Sequence, residues 1–90
     1  MVSRTTARFW RAYADLPAGV QRQARATYAL FRADPRHPSL RFKQVHPPAP
    51  VVSVRVGAHY RALGRREDGD TVVWFWIGSH AEYDRLTSAR

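Results

Sequence analysis

His80 and Tyr83 stand one helical turn apart, directly after an apolar aromatic run that ends at Gly78. Ser79 and Glu82 have the S-x-x-E spacing of a capping box, so a helix is expected to begin at His80. A strand end that hands over to a helix start fixes side chains on two rigid elements. Upstream, Arg55 lies on an alternating Val52 to Val56 strand, and His59 and Arg61 share one face of the next. A hairpin between those strands brings Arg55 and Arg61 together. Lys43 and His46 end the preceding strand. These groups would line one cationic face carrying imidazoles, a phenol and guanidinium forks. RNA phosphodiester cleavage needs that set: a base for the 2′-OH, cations for the charge building on phosphorus, and an acid for the leaving 5′-oxygen. A helix N-terminus disfavours a protonated imidazole, which suits His80 to act as a neutral base. Arg55 and Arg61 suit phosphate bonding, and Tyr83 suits base stacking or a phosphate bond.

Plainer readings compete with these. Arg61 could pair with Glu82 or Asp84, and Tyr60 and Tyr83 could be edge residues of the core. Trp74 and Trp76 read as core rather than as stacking platforms. Arg22, Arg25 and Arg32 form a stripe on a helix that is either a solvated face or a surface for an acidic partner. No Gly-rich phosphate loop, H-E-x-x-H or Ser/His/Asp signature occurs. The four histidines are scattered and acids are sparse among them, so no metal site and no cofactor is expected. Glu67, Asp68 and Asp70 belong to a hairpin tip and are read as solvated.

Composition narrows the class. The chain has 90 residues, no cysteine and a formal net charge of +8. That length is read as one domain, residues 1–90, with a modest core. Lack of cysteine excludes disulfides and thiolate metal sites. No apolar run reaches membrane-span length and no signal-peptide pattern opens the chain, so a cytoplasmic protein without a membrane role is expected. The charge points to a polyanionic partner: RNA, DNA or an acidic protein. Only Lys43 is a lysine, so genome base composition is a competing source of the arginine excess.

The elements that must position the face follow from periodicity. Phe9, Trp10, Tyr13 and Leu16 mark a helix over about residues 6–16. Pro17 opens a second helix that runs to about Ala33 and stops at Asp34-Pro35. Its stripe is Val20, Ala24, Thr27 or Tyr28, and Phe31, with Leu30 beside it. The short connection makes an antiparallel hairpin. Leu40 to Val45 reads as an imperfect half-buried strand, followed by the stiff Pro47 to Pro50 connection. Tyr60 to Arg65 forms a further strand, and Glu67 to Asp70 a tight turn. Thr71 to Ile77 is apolar on both faces and should be an interior strand. The expectation is an α+β fold: an N-terminal helical hairpin on a small, mostly antiparallel sheet of three or four strands, with a short C-terminal helix.

Four stretches, in order and spacing, carry a family resemblance over nearly the whole chain. They are L-P-x-x-V-Q at 16–21, D-P-R-H-P-S-L-R-F-K at 34–43, S-V-R-V-G-x-x-Y-R-A-L at 53–63 and W-F-W-I-G-S-H-x-E-Y at 74–83. Together they resemble toxins of bacterial type II toxin–antitoxin systems in the RelE/ParE superfamily. The resemblance implies a helical hairpin on a compact sheet and a growth-inhibiting protein held inactive by a cognate, acidic antitoxin, the pair also being a candidate for binding operator DNA. RelE-type relatives enter the ribosome and cut mRNA without metal; ParE-type relatives poison DNA gyrase. By position, Arg61 resembles the arginine placed on the scissile phosphate, His80 a catalytic arginine or histidine, and Tyr83 the C-terminal aromatic residue. Lys43 and Arg55 correspond to basic strand residues where loop lengths are ambiguous. Many members open with a strand; here only Met1 to Thr5 precedes the first helix, and that strand stays open. The leading expectation is a ribosome-dependent mRNA endonuclease, with a gyrase poison or a non-catalytic basic binding module as alternatives.

Overall fold

The computed structural model describes residues 1–88. The chain runs β1 (Val2–Thr5), α1 (Ala7–Ala14), α2 (Ala18–Ala33), a 3-10 turn (Pro38–Leu40), β2 (Lys43–Val45), β3 (Val51–Val56), β4 (Tyr60–Glu67), β5 (Thr71–Ser79) and α3 (His80–Ser88). The strands form one five-stranded sheet in the order β1-β5-β4-β3-β2. All pairs are antiparallel except β1 with β5.

Local chemistry explains the helix bounds. Thr6 caps α1 by accepting a hydrogen bond from the Phe9 amide at 3.1 Å. Pro17 ends that run and precedes α2, which stops at Asp34 ahead of Pro35. α1 packs on β5 and α2 on β3. Phe31 is buried on α2, edge-on to Trp74 at a centroid distance of 5.5 Å, and Phe9, Ala24 and Leu30 pack around the same core. Trp10 departs from the expected apolar stripe. It is 51 % exposed. Its indole N–H donates to Thr5 Oγ1 at 2.8 Å, which gives the polar edge of the ring a partner at the surface.

Three features of the sheet differ from the sequence expectation. The opening strand exists, so the sheet has five strands rather than three or four. β1 has no apolar alternation; it is recruited by backbone pairing to the free edge of the long β5, with Val2 opposite Thr71 and Thr5 opposite Trp74. The stretch from Leu40 to Val45 is not one strand. Leu40 is buried at the end of the 3-10 turn, Arg41 takes a left-handed φ of 46°, and only Lys43 to Val45 pair with β3.

The third difference is a bulge. Leu63 on β4 faces Trp76, while Gly64 faces Trp74, so β5 carries one extra residue there. Strict alternation would put both tryptophans on one face. Instead Trp74 joins the helix-covered core with Val54, Val56, Ala62 and Ile77, and Trp76 joins Leu63, Val45 and Tyr83 on the opposite face. Both are core residues, as expected. The glycines beside them make room. A Cβ on Gly64 would lie 2.5 Å from Val72 Cγ1 and 2.7 Å from Trp74 Cε3. The β4–β5 turn uses Asp68 and Gly69, both at positive φ (57° and 79°), the pattern of a tight hairpin turn. No helix is long and apolar enough to cross a membrane among the described residues.

Candidate functional site

The face opposite the helical hairpin is where the cationic residues meet. Antiparallel register sets Arg55 directly opposite Arg61, and Arg61 opposite Gly78. Residues opposed in this way share a face. Two like charges side by side cost stability unless an anion lies near. Among the described residues no carboxylate pairs with either arginine: the acid–base contacts there are the N-terminus with Asp70 and the His80 ring with Asp84. The competing reading, an Arg61 bridge to Glu82 or Asp84, is therefore not realised. Glu82 closes the capping box instead, accepting from the Ser79 amide at 3.2 Å while Ser79 Oγ accepts from the Glu82 amide at 3.2 Å.

Arg61 is only 5 % exposed. Its Nη2 donates to Ser53 Oγ at 2.9 Å and to the Arg41 carbonyl at 3.2 Å. Its guanidinium carbon lies 5.0 Å from the centroid of the Tyr83 ring, a cation–π distance. Nε is buried with no hydrogen-bond partner among the described residues. An unpaired buried donor costs about 1–3 kcal/mol. Burial pulls the guanidinium below its ordinary pKa; Tyr83 opposes that pull, while the nearby Arg55 and Arg41 charges add to it. The result is a fixed cation held at an energetic cost that a bound anion would relieve.

An open cleft of about 270 Å³ lies over this group, lined by Arg41, Arg55, His59, Tyr60, Arg61 and His80. His80 is the first residue of α3 and is exposed. Its amide donates to the His59 carbonyl at 2.7 Å, which joins α3 to the β3–β4 turn. Its ring lies 5.7 Å from the Tyr83 ring, and Nε2 is 3.5 Å from Asp84 Oδ2. The Asp84 carboxylate, one turn along α3, is thus a direct neighbour of the imidazole. His59 is exposed at the mouth of the cleft.

The remaining expected residues fall elsewhere or act differently. Lys43 is exposed on β2 opposite Ser53, on the same face as Arg61 by register but outside the cleft lining. His46 is not part of the cleft. It turns at a φ of 51° and its Nε2 meets the Thr87 carbonyl, pinning the far end of α3. Tyr83 is 5 % exposed, with its hydroxyl 3.4 Å from Ser53 Oγ. It is too enclosed to stack on a base. Two residues that sequence reasoning passed over belong here: Arg41, aimed by its left-handed backbone, and Ser53, fully buried. Ser53 did leave a signal, a lone hydroxyl among valines in V-V-S-V-R-V. Among the described residues no group of three or more histidines and carboxylates is placed to hold a metal.

The arrangement offers a pocket for a phosphate-sized anion beside an exposed imidazole. Comparison with known proteins agrees with the fold. The family model described as ParE-like toxin domain matches residues 18–85. The chain belongs to that family of toxin domains, within the RelE/ParE superfamily. The structure is similar to the toxin–antitoxin complex RelB-RelE of Methanococcus jannaschii, with a TM-score of 0.72 and 13 % identity over 92 % of this chain and 96 % of that one. It is similar to the YoeB/ParE toxin of Agrobacterium tumefaciens, with a TM-score of 0.67 and 16 % identity over 89 % and 99 %. The RelBE2 toxin–antitoxin complex of Mycobacterium tuberculosis reaches 25 % identity at a TM-score of 0.61 over 88 % and 96 %. A search of curated proteins returns no match.

Proposed function

We propose that this toxin domain is a metal-independent endoribonuclease that cuts mRNA on the ribosome and is restrained by an acidic antitoxin. One observation carries the reading: Arg61 is a buried guanidinium without a carboxylate, facing a cleft shared with Arg41, Arg55 and His80. Arg61, with Arg55 and Arg41, would grip the scissile phosphate and stabilise the charge that builds on it. His80, exposed and next to that grip, would exchange the proton of the attacking 2′-OH. The cleft is shallow and open, which fits a substrate presented by a larger scaffold better than one enclosed by this chain. A formal charge of +8 fits both RNA and an acidic partner. Toxin–antitoxin complexes among the similar structures support the antitoxin as partner; operator binding by such a pair is part of the same proposal.

A second reading has its own support. The matching family model is the ParE-like one, and the chain carries a single lysine. A gyrase poison would use the basic face for binding alone. A translation extract with and without ribosomes, with mapping of mRNA ends, separates the two. Internal cuts that need ribosomes support the nuclease; intact message together with blocked gyrase supercoiling supports the poison. If the protein neither cuts message nor blocks gyrase, and its expression without a partner leaves growth unaffected, it is a binding module.

A further inference from the structure

We infer that Ser53 and Tyr83 form a buried positioning pair that sets the Arg61 guanidinium, so that Tyr83 acts through Arg61 and not on the RNA. The inference rests on the nuclease reading for its kinetic consequence, but its structural content does not. Three elements supply the groups: Ser53 from β3, Arg61 from β4 and Tyr83 from α3. Ser53 has 0 % exposure in a strand that otherwise buries valines. A hydroxyl retained at such a place needs partners. It has two: Arg61 Nη2 donates to Oγ at 2.9 Å, and the Tyr83 hydroxyl is 3.4 Å from the same oxygen. The second bond is long, so the serine–arginine contact is the firmer of the two.

The geometry restrains the guanidinium in two directions. Ser53 Oγ and the Arg41 carbonyl hold one edge of the fork through Nη2. The guanidinium carbon sits over the Tyr83 ring, 5.0 Å from its centroid. A flexible arginine then presents its donors to the cleft in one orientation. That pre-set orientation is what electrostatic stabilisation of a transition state requires. The tyrosine hydroxyl lies beside the buried serine, and Tyr83 is not among the residues that line the cleft, so a general acid or base role for the phenol has no geometric support.

The test uses the full chain and two independent readouts. In the ribosome-dependent cleavage assay, Ser53→Ala should lower the single-turnover rate at least tenfold with a change in KM below about threefold, since the interaction matters most as charge develops. Ser53→Thr, which keeps the hydroxyl, should recover most of that rate. Tyr83→Phe keeps the ring and should lose less than Tyr83→Leu, and its pH–rate profile should keep both limbs of the parent. Nitrogen NMR of the Arg61 side chain supplies the second readout: in Ser53→Ala the Nε–H should lose order and exchange faster with water. A parent that fails to cut mRNA, with this loss of order still seen, would remove the nuclease reading and leave the positioning pair standing. An unchanged Arg61 signal in Ser53→Ala, or a Tyr83→Phe profile missing a limb, overturns the inference.

Discussion

At the scale of single residues, Arg61 explains most. It is a buried charge with one unsatisfied donor and two neighbouring cations. Replacing it with a side chain of similar length and no charge removes that cost. Arg61→Met should therefore abolish activity while changing the unfolding free energy by no more than about 1 kcal/mol, because the donor lost to Ser53 Oγ and the Arg41 carbonyl offsets the charge cost that is relieved, measured by urea unfolding beside a growth assay. Burial holds the folded-state value of Arg61 below its unfolded one, so the penalty is present while the group is charged and lifts only as pH rises through the folded-state value. His80 is different: it is exposed, and His80→Ala should leave circular dichroism unchanged while cutting the reaction rate by about a hundredfold to ten-thousandfold. Both residues were legible from type and spacing. Arg41 was not, because a left-handed arginine leaves no trace in residue pattern, and the loss of His46 to the end of α3 depends on a turn that spacing does not encode.

At the scale of elements, the bulge in β5 decides which face each tryptophan serves. Its neighbour Gly64 is a clear test. A methyl group there would collide with Val72 and Trp74 at 2.5 and 2.7 Å, so Gly64→Ala should destabilise by about 1–3 kcal/mol, read as a lower urea midpoint with unchanged slope. The capping box at Ser79 and Glu82 should lose about 1 kcal/mol in Ser79→Ala, with thermal unfolding as the measure. That box, both helices, β3, β4 and the Asp68-Gly69 turn all follow from patterns a few residues long, where local preference and burial agree. The bulge and β1 do not. The first depends on how bulky rings fit across a strand pair. The second depends on an edge left open seventy residues later in the chain, visible only once the sheet exists.

At the scale of the whole molecule, the sheet divides two tasks. One face carries the helical hairpin and most of the apolar core. The other carries Arg55, Arg61 and, by register, the exposed Lys43, with the short α3 packed on β4 and β5. With a net charge of +8, binding to RNA on the proposed reading would release counterions. Affinity for a short single-stranded RNA should thus fall linearly on a log–log plot of binding against salt, at about 0.7 per phosphate neutralised, and fluorescence titration at several ionic strengths reads that slope. The most direct trial of the central claim remains cleavage itself. mRNA programmed on intact ribosomes should acquire new internal ends when the protein is added, and none when Arg61→Met replaces it. Unbroken message with the parent protein, under conditions where it still arrests growth, would contradict the account.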